Sequence, residues 1–86
     1  LAHGLVHRVA PAGQALAEAT AVARAFAEGP TRAYAAAKAA LRAAGGDLRP
    51  GLALELDAFG ALFSTEDRRE GMAAFAQKRP PRFTGR

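Results

Sequence analysis

The chain has 86 residues, half of them apolar and 24 of them alanine, with a net charge of +4 and a sequence pI near 10.7. There is no cysteine, which excludes disulfides and thiolate metal sites, and no apolar run approaches the ~20 residues that span a membrane. Alanine favours helix but fills little volume, and large apolar residues are few, so a single small helical unit of marginal stability is expected.

The opening segment, LAHGLVHRVAPAG, differs from the rest of the chain. Leu5, Val6 and Val9 form a short β-prone run that ends at the turn formers Pro11 and Gly13. Nothing downstream reads as a partner strand. The run must therefore dock on another surface or stay irregular. Leu1 to Val9 also holds two histidines and an arginine and does not read as a secretory leader, so the expected compartment is cytoplasmic. His3 and His7 lack a third ligand nearby, and no metal site is assigned.

Four helices are expected after it. The first is expected over 12–28, with Leu16, Ala19 or Thr20, Ala23 and Phe26 on one face. Gly29-Pro30 ends it and starts the second, which runs over 31–44 with Tyr34, Ala37, Leu41 and Ala44 aligned. Gly45-Gly46 is its expected C-cap. The third begins within Asp47–Pro50 and reaches about Phe63. It has one stripe of Leu52, Leu56, Phe59 and Phe63 and a second of Leu54, Ala58, Ala61 and Leu62, so packing on two sides is expected. Glu55 and Asp57 read as solvated edge positions. The fourth starts at Ser64, with Asp67 reaching back as in a capping box, and stops at Pro80-Pro81. Met72, Phe75 and Ala76 form its apolar face, while Glu66, Asp67 and Glu70 read as solvated beside Arg68 and Arg69. The fold class is all-α: a short extended lead-in and four helices.

The inventory is poor for catalysis. There is no nucleophile–base arrangement with a supporting signature and no glycine-rich phosphate loop, and Gly45-Gly46 follows a helix where a dinucleotide turn follows a strand. No catalytic residue is assigned. The basic end is more informative: Lys78, Arg79, Arg82 and Arg86 are interleaved with Phe75 and Phe83. On these residues alone, Phe75 reads first as core and Lys78 as a solvated cation favoured by the helix dipole. A ring and a cation three residues apart on a helix also suit a nucleotide, the ring on the base and the cation on phosphate. Nucleic-acid binding ranks well below these readings, since the helices carry mixed charge and offer no basic groove.

The ending STEDRREGMAAFAQKRPPRFTG closely resembles the end of the crotonase superfamily, the enoyl-CoA hydratases and isomerases, with an acidic cap, Glu70-Gly71, an aromatic, Lys-Arg, a proline and a final Phe. Gln77 departs from that pattern, standing where an acidic residue is common. GLVHRVAP resembles the segment that leaves the family's core, and AEGPTRAYAAAKAAL the segment after it. The resemblance implies an extended lead-in over 1–11 from a core domain, and over 12–86 the helical C-terminal region that builds the trimer or hexamer and covers CoA. The implied activity is hydration or isomerisation of acyl-CoA thioesters, as in fatty acid β-oxidation. The substrate is the acyl-CoA itself, with no further cofactor. The implied catalytic glutamates and oxyanion-hole amides lie in an N-terminal region upstream of Leu1. Phe75 and Lys78 match the aromatic and the lysine that approach the adenosine end of CoA on a neighbouring subunit. The alternative is a helical assembly module without catalysis, binding copies of itself or a separate catalytic chain but neither nucleic acid nor membrane.

Overall fold

The computed structural model describes all of residues 1–86 and is entirely helical beyond its lead-in: α1 (Ala15–Ala27), α2 (Thr31–Ala43), α3 (Leu48–Leu62) and α4 (Glu66–Ala76). No helix is long and apolar enough to cross a membrane. The lead-in forms no strand. It makes an early turn in which the Gly4 amide donates to the Leu1 carbonyl with φ +71° at the glycine, and Leu5 and Val9 are exposed. Its β-prone residues have no edge to pair with, so they stay irregular.

Helix α1 starts three residues later than its composition suggests. Gly13 adopts a left-handed conformation, and the Gln14 amide closes a turn on the Pro11 carbonyl before the helix begins. At its far end the Phe26 ring meets Tyr34 edge-on at 5.4 Å, and the Tyr34 ring lies over Gly29, the position that leaves room for it. This aromatic pair fixes the corner between α1 and α2.

α2 and α3 form the one extensive helix pair. The expected α2 face is rotated. Leu41 is 74% exposed, and the half-buried positions are Ala33, Tyr34, Ala36, Ala39, Ala40 and Ala43. Small side chains allow the close approach: a Cβ on Gly51 would lie 3.8 Å from the Ala43 carbonyl oxygen. The turn between the helices also differs from expectation, because Ala44 is the C-cap of α2 and neither Gly45 nor Gly46 has positive φ. α3 is packed on one side only. Leu52, Leu56, Phe59 and Phe63 stay exposed, with Phe59 and Phe63 edge-to-face at 5.1 Å and the Arg68 guanidinium 4.6 Å from the Phe63 ring centre.

The cap of α4 is Thr65 rather than Ser64. Thr65 Oγ1 accepts from the Arg68 amide at 3.2 Å and donates to the Leu62 carbonyl at 2.7 Å, while Ser64 Oγ donates backwards to Ala61. Asp67 closes no capping box. It lies 5% exposed and grips the chain end: its carboxylate accepts from the Thr84 amide at 2.7 Å and the Gly85 amide at 2.9 Å, and its own amide donates to the Arg86 carbonyl at 3.0 Å. That last bond satisfies one of the amides a helix leaves open in its first turn. The tail thus runs back antiparallel along α4. Phe83 lies against Gly71, with a Cε1 atom 3.5 Å from where a Cβ would stand, and Gly85 sits under Thr31 at the start of α2.

Only Gly29, Thr65, Asp67 and Ala74 are buried. The radius of gyration is 16.4 Å, against about 12 Å for a compact domain of this length. The accessible surface is 7302 Å², against roughly 4,800 Å² for a compact monomer of this mass. The chain thus exposes about 2,500 Å² more than a compact monomer of its mass would.

Because the hydroxyls at 64 and 65 are adjacent and chemically alike, replacing each by alanine separates their roles. Thr65→Ala is expected to destabilise α4 by about 1 kcal/mol and Ser64→Ala by a few tenths, read from thermal unfolding followed by circular dichroism.

Candidate functional site

The site is the C-terminal end of α4 and the turn after it. The helix stops at Ala76, four residues before the first proline, so Pro80-Pro81 is not what ends it. The ending is a Schellman turn: the Lys78 amide donates to Phe75 at 3.2 Å and the Arg79 amide to Ala74 at 3.0 Å. The residue required to take left-handed geometry is Lys78, with φ 51°, the one non-glycine residue in the chain with positive φ. A side chain in that conformation costs roughly 1–2 kcal/mol relative to the right-handed form, and glycine is the usual occupant.

What opposes that cost is a charged network. Arg79 Nη1 donates to Glu70 Oε1 at 2.6 Å and Nη2 to Glu70 Oε2 at 2.9 Å, a bidentate pair. Arg79 Nε donates to Gln77 Oε1 at 2.7 Å. The Arg82 amide donates to Glu70 Oε1 at 2.7 Å. Pro80 and Pro81 bring no amide, so Arg82 supplies the first donor of the tail, and Glu70 meets it. The Arg79 guanidinium and, after it, the Arg82 amide hold the Glu70 carboxyl down from its ordinary 4.5 to about 2, and Glu70 in turn holds Arg79 up. The acids expected to be solvated are therefore the structural ones. Asp67 and Glu70, one turn apart on α4, line one wall of an open polar groove of about 600 Å³, and the tail residues Arg79, Pro80, Arg82 and Thr84 line the other.

The two residues singled out from the sequence stand at this end. Phe75 is 88% exposed, so it is not core in this chain, and Lys78 is exposed beside it. Their relation is not the helical register expected of them, because Lys78 lies past the helix. The two are linked instead by the backbone bond from the Lys78 amide to the Phe75 carbonyl. His3 and His7 lie in the exposed lead-in. The residues the sequence reading missed are Glu70 and Arg79. Their nine-residue separation carries no local signal, since it becomes a contact only when the chain turns back.

The comparison with known proteins fits this architecture. All of residues 1–86 match the family described as enoyl-CoA hydratase/isomerase. The chain belongs to that family. It is 46% identical over 84 residues to a probable enoyl-CoA hydratase of Mycobacterium tuberculosis, covering 96% of this chain and 33% of the relative. It is 45% identical, with the same coverage, to the 2,3-dehydroadipyl-CoA hydratase of Escherichia coli. Among solved structures, an enoyl-CoA hydratase subunit of Geobacillus kaustophilus superposes with a TM-score of 0.89 at 39% identity, over 96% of this chain and 33% of that one. The chain thus spans about a third of the length of these relatives and corresponds to their C-terminal region.

The ion pair has a pH signature. Glu70 binds its proton less readily in the folded chain than in the unfolded one. Its contribution to stability is complete above pH 4.5 and is lost as pH falls towards 2. A carbon-detected NMR titration is expected to place the Glu70 midpoint near 2, and Arg79→Ala is expected to return it towards 4.5.

Proposed function

We propose that residues 1–86 are the assembly and coenzyme-contacting part of a family enzyme that hydrates or isomerises enoyl-CoA thioesters in the manner of fatty acid β-oxidation, in the cytoplasm. The observation that carries this reading is the end of α4, where an exposed aromatic ring stands next to a lysine held in a strained backbone conformation. CoA ends in a phosphorylated adenosine diphosphate. An adenine can lie on the Phe75 ring, and the Lys78 ammonium can meet a phosphate through a charge-assisted hydrogen bond. Arg79 is already engaged by Glu70 and Gln77, which leaves Lys78 as the cation of this turn for such a ligand. The acids that add water are placed, in this reading, in the part of the enzyme to which residues 1–86 do not correspond.

Assembly is the second half of the reading. The stripe of Leu52, Leu56, Phe59 and Phe63, together with Leu41, is exposed in the single chain. Apolar surface on this scale is stabilised by burial against a partner. The partner in this reading is a trimer neighbour or the rest of the subunit. A helical assembly module without catalysis would use the same stripe but would have no use for a lysine in left-handed geometry, which cuts against it.

In an active hydratase whose C-terminal third is residues 1–86, Lys78→Ala is expected to raise KM for an acyl-CoA substrate about tenfold and to change kcat little, the loss of one charged contact. An unchanged KM would refute the coenzyme contact. For assembly, sedimentation of residues 1–86 over a range of concentrations is expected to show self-association, and a well-folded monomer at every concentration would refute it.

A further inference from the structure

Backbone strain at one residue persists only where its surroundings over-determine it, and such residues collect at ligand sites. Lys78 meets the first condition from both sides. On the helix side, its own amide and that of Arg79 are tied to Phe75 and Ala74. On the tail side, the Arg79 guanidinium is held by both oxygens of Glu70 and by Gln77 Oε1, and it also reaches the Pro80 carbonyl at 3.2 Å. The same Glu70 carboxylate takes the Arg82 amide, which closes the loop after the two prolines. Lys78 is therefore held on the helix side by backbone bonds to Phe75 and Ala74, and on the tail side by one carboxylate of the helix it has just left.

We infer that Glu70 and Arg79 are positioning residues for Lys78: their bidentate pair locks the turn so that the Lys78 ammonium is presented from a fixed backbone to a phosphate of the coenzyme's adenosine end. This deepens the proposed CoA contact and rests on it. Arg79 is in this account the inward cation of the Lys-Arg pair and Lys78 the outward one. The guanidinium has its donors turned to Glu70, Gln77 and Pro80. The gain from the lock is conformational. A lysine on a loose chain end must lose backbone freedom when it captures an anion, whereas one on a locked turn loses only side-chain freedom. Unlocking the turn leaves the binding-competent geometry only partly populated and weakens apparent affinity by that fraction.

The test uses the active enzyme carrying residues 1–86 and two substrates with the same acyl group, one on CoA and one on pantetheine, which lacks the adenosine and phosphates. Glu70→Gln is expected to raise KM for the acyl-CoA about threefold while leaving kcat, and KM for the acyl-pantetheine, unchanged. Arg79→Lys keeps the charge but loses the fork, and it is expected to behave the same way, which serves if Glu70→Gln does not fold. In a Lys78→Ala background neither change should have any further effect on KM. Equal loss on both substrates, no change on either, or an effect that adds to Lys78→Ala would each overturn the positioning role. If Lys78→Ala itself leaves KM for the acyl-CoA unchanged, the underlying CoA contact falls first. If Lys78→Ala raises it and both Glu70→Gln and Arg79→Lys do not, only the positioning role falls.

Discussion

Two carboxylates on one helix hold the end of this chain in place. Asp67 and Glu70, one turn apart on α4, accept the amides of Arg82, Thr84 and Gly85, and Glu70 also takes the fork of Arg79. Without them the residues after Ala76 would have no reason to return. With them, the tail runs antiparallel to α4, Phe83 lies over Gly71, and Gly85 reaches the start of α2. A hydrogen bond to an ionised acceptor is worth more than a neutral one. In a chain with so little buried apolar surface, these bonds weigh heavily in deciding where the end lies.

The rest of the molecule is short of core. Alanine makes good helices and lets α2 and α3 approach closely, but it buries little area per residue. The larger side chains on α3 point outward, with Phe59 and Phe63 paired at the surface. The consequence is an open arrangement of 44 × 39 × 19 Å, with about 2,500 Å² more exposed surface than its mass requires. Helices of this kind gain most of their stability from tertiary packing rather than from propensity. The exposed stripe is thus a weakness of the single chain and, in the proposed reading, its assembly surface.

The strained turn after α4 is the part of the architecture on which the proposed coenzyme contact rests. A glycine at position 78 would relieve the left-handed backbone, but it would also remove the one cation that the turn leaves outward. The bidentate pair behind it and the exposed ring before it give this turn more definition than a helix stop requires.

Much of this could be read from the residues in order. Gly29-Pro30, Gly45-Gly46 and the Ser-Thr pair mark the breaks between four helices, and the alanine-rich periodicity between them leaves no room for strands. The ending, from the acidic first turn through Glu70-Gly71 to Lys-Arg and the final Phe, is specific enough to indicate the family. These are local properties, set by propensity, spacing and motif within a few residues. The tertiary structure decided what local rules could not. Ser64 and Thr65 have equal chemistry for a cap, and the choice went to the one whose backbone is extended as the helix begins. Asp67 and Glu70 resemble ordinary solvated acids of a helix, and Lys78 an ordinary C-terminal lysine. The two carboxylates take partners 9 to 18 residues away that arrive only when the chain folds back, and contacts at that separation leave no periodic trace in the sequence.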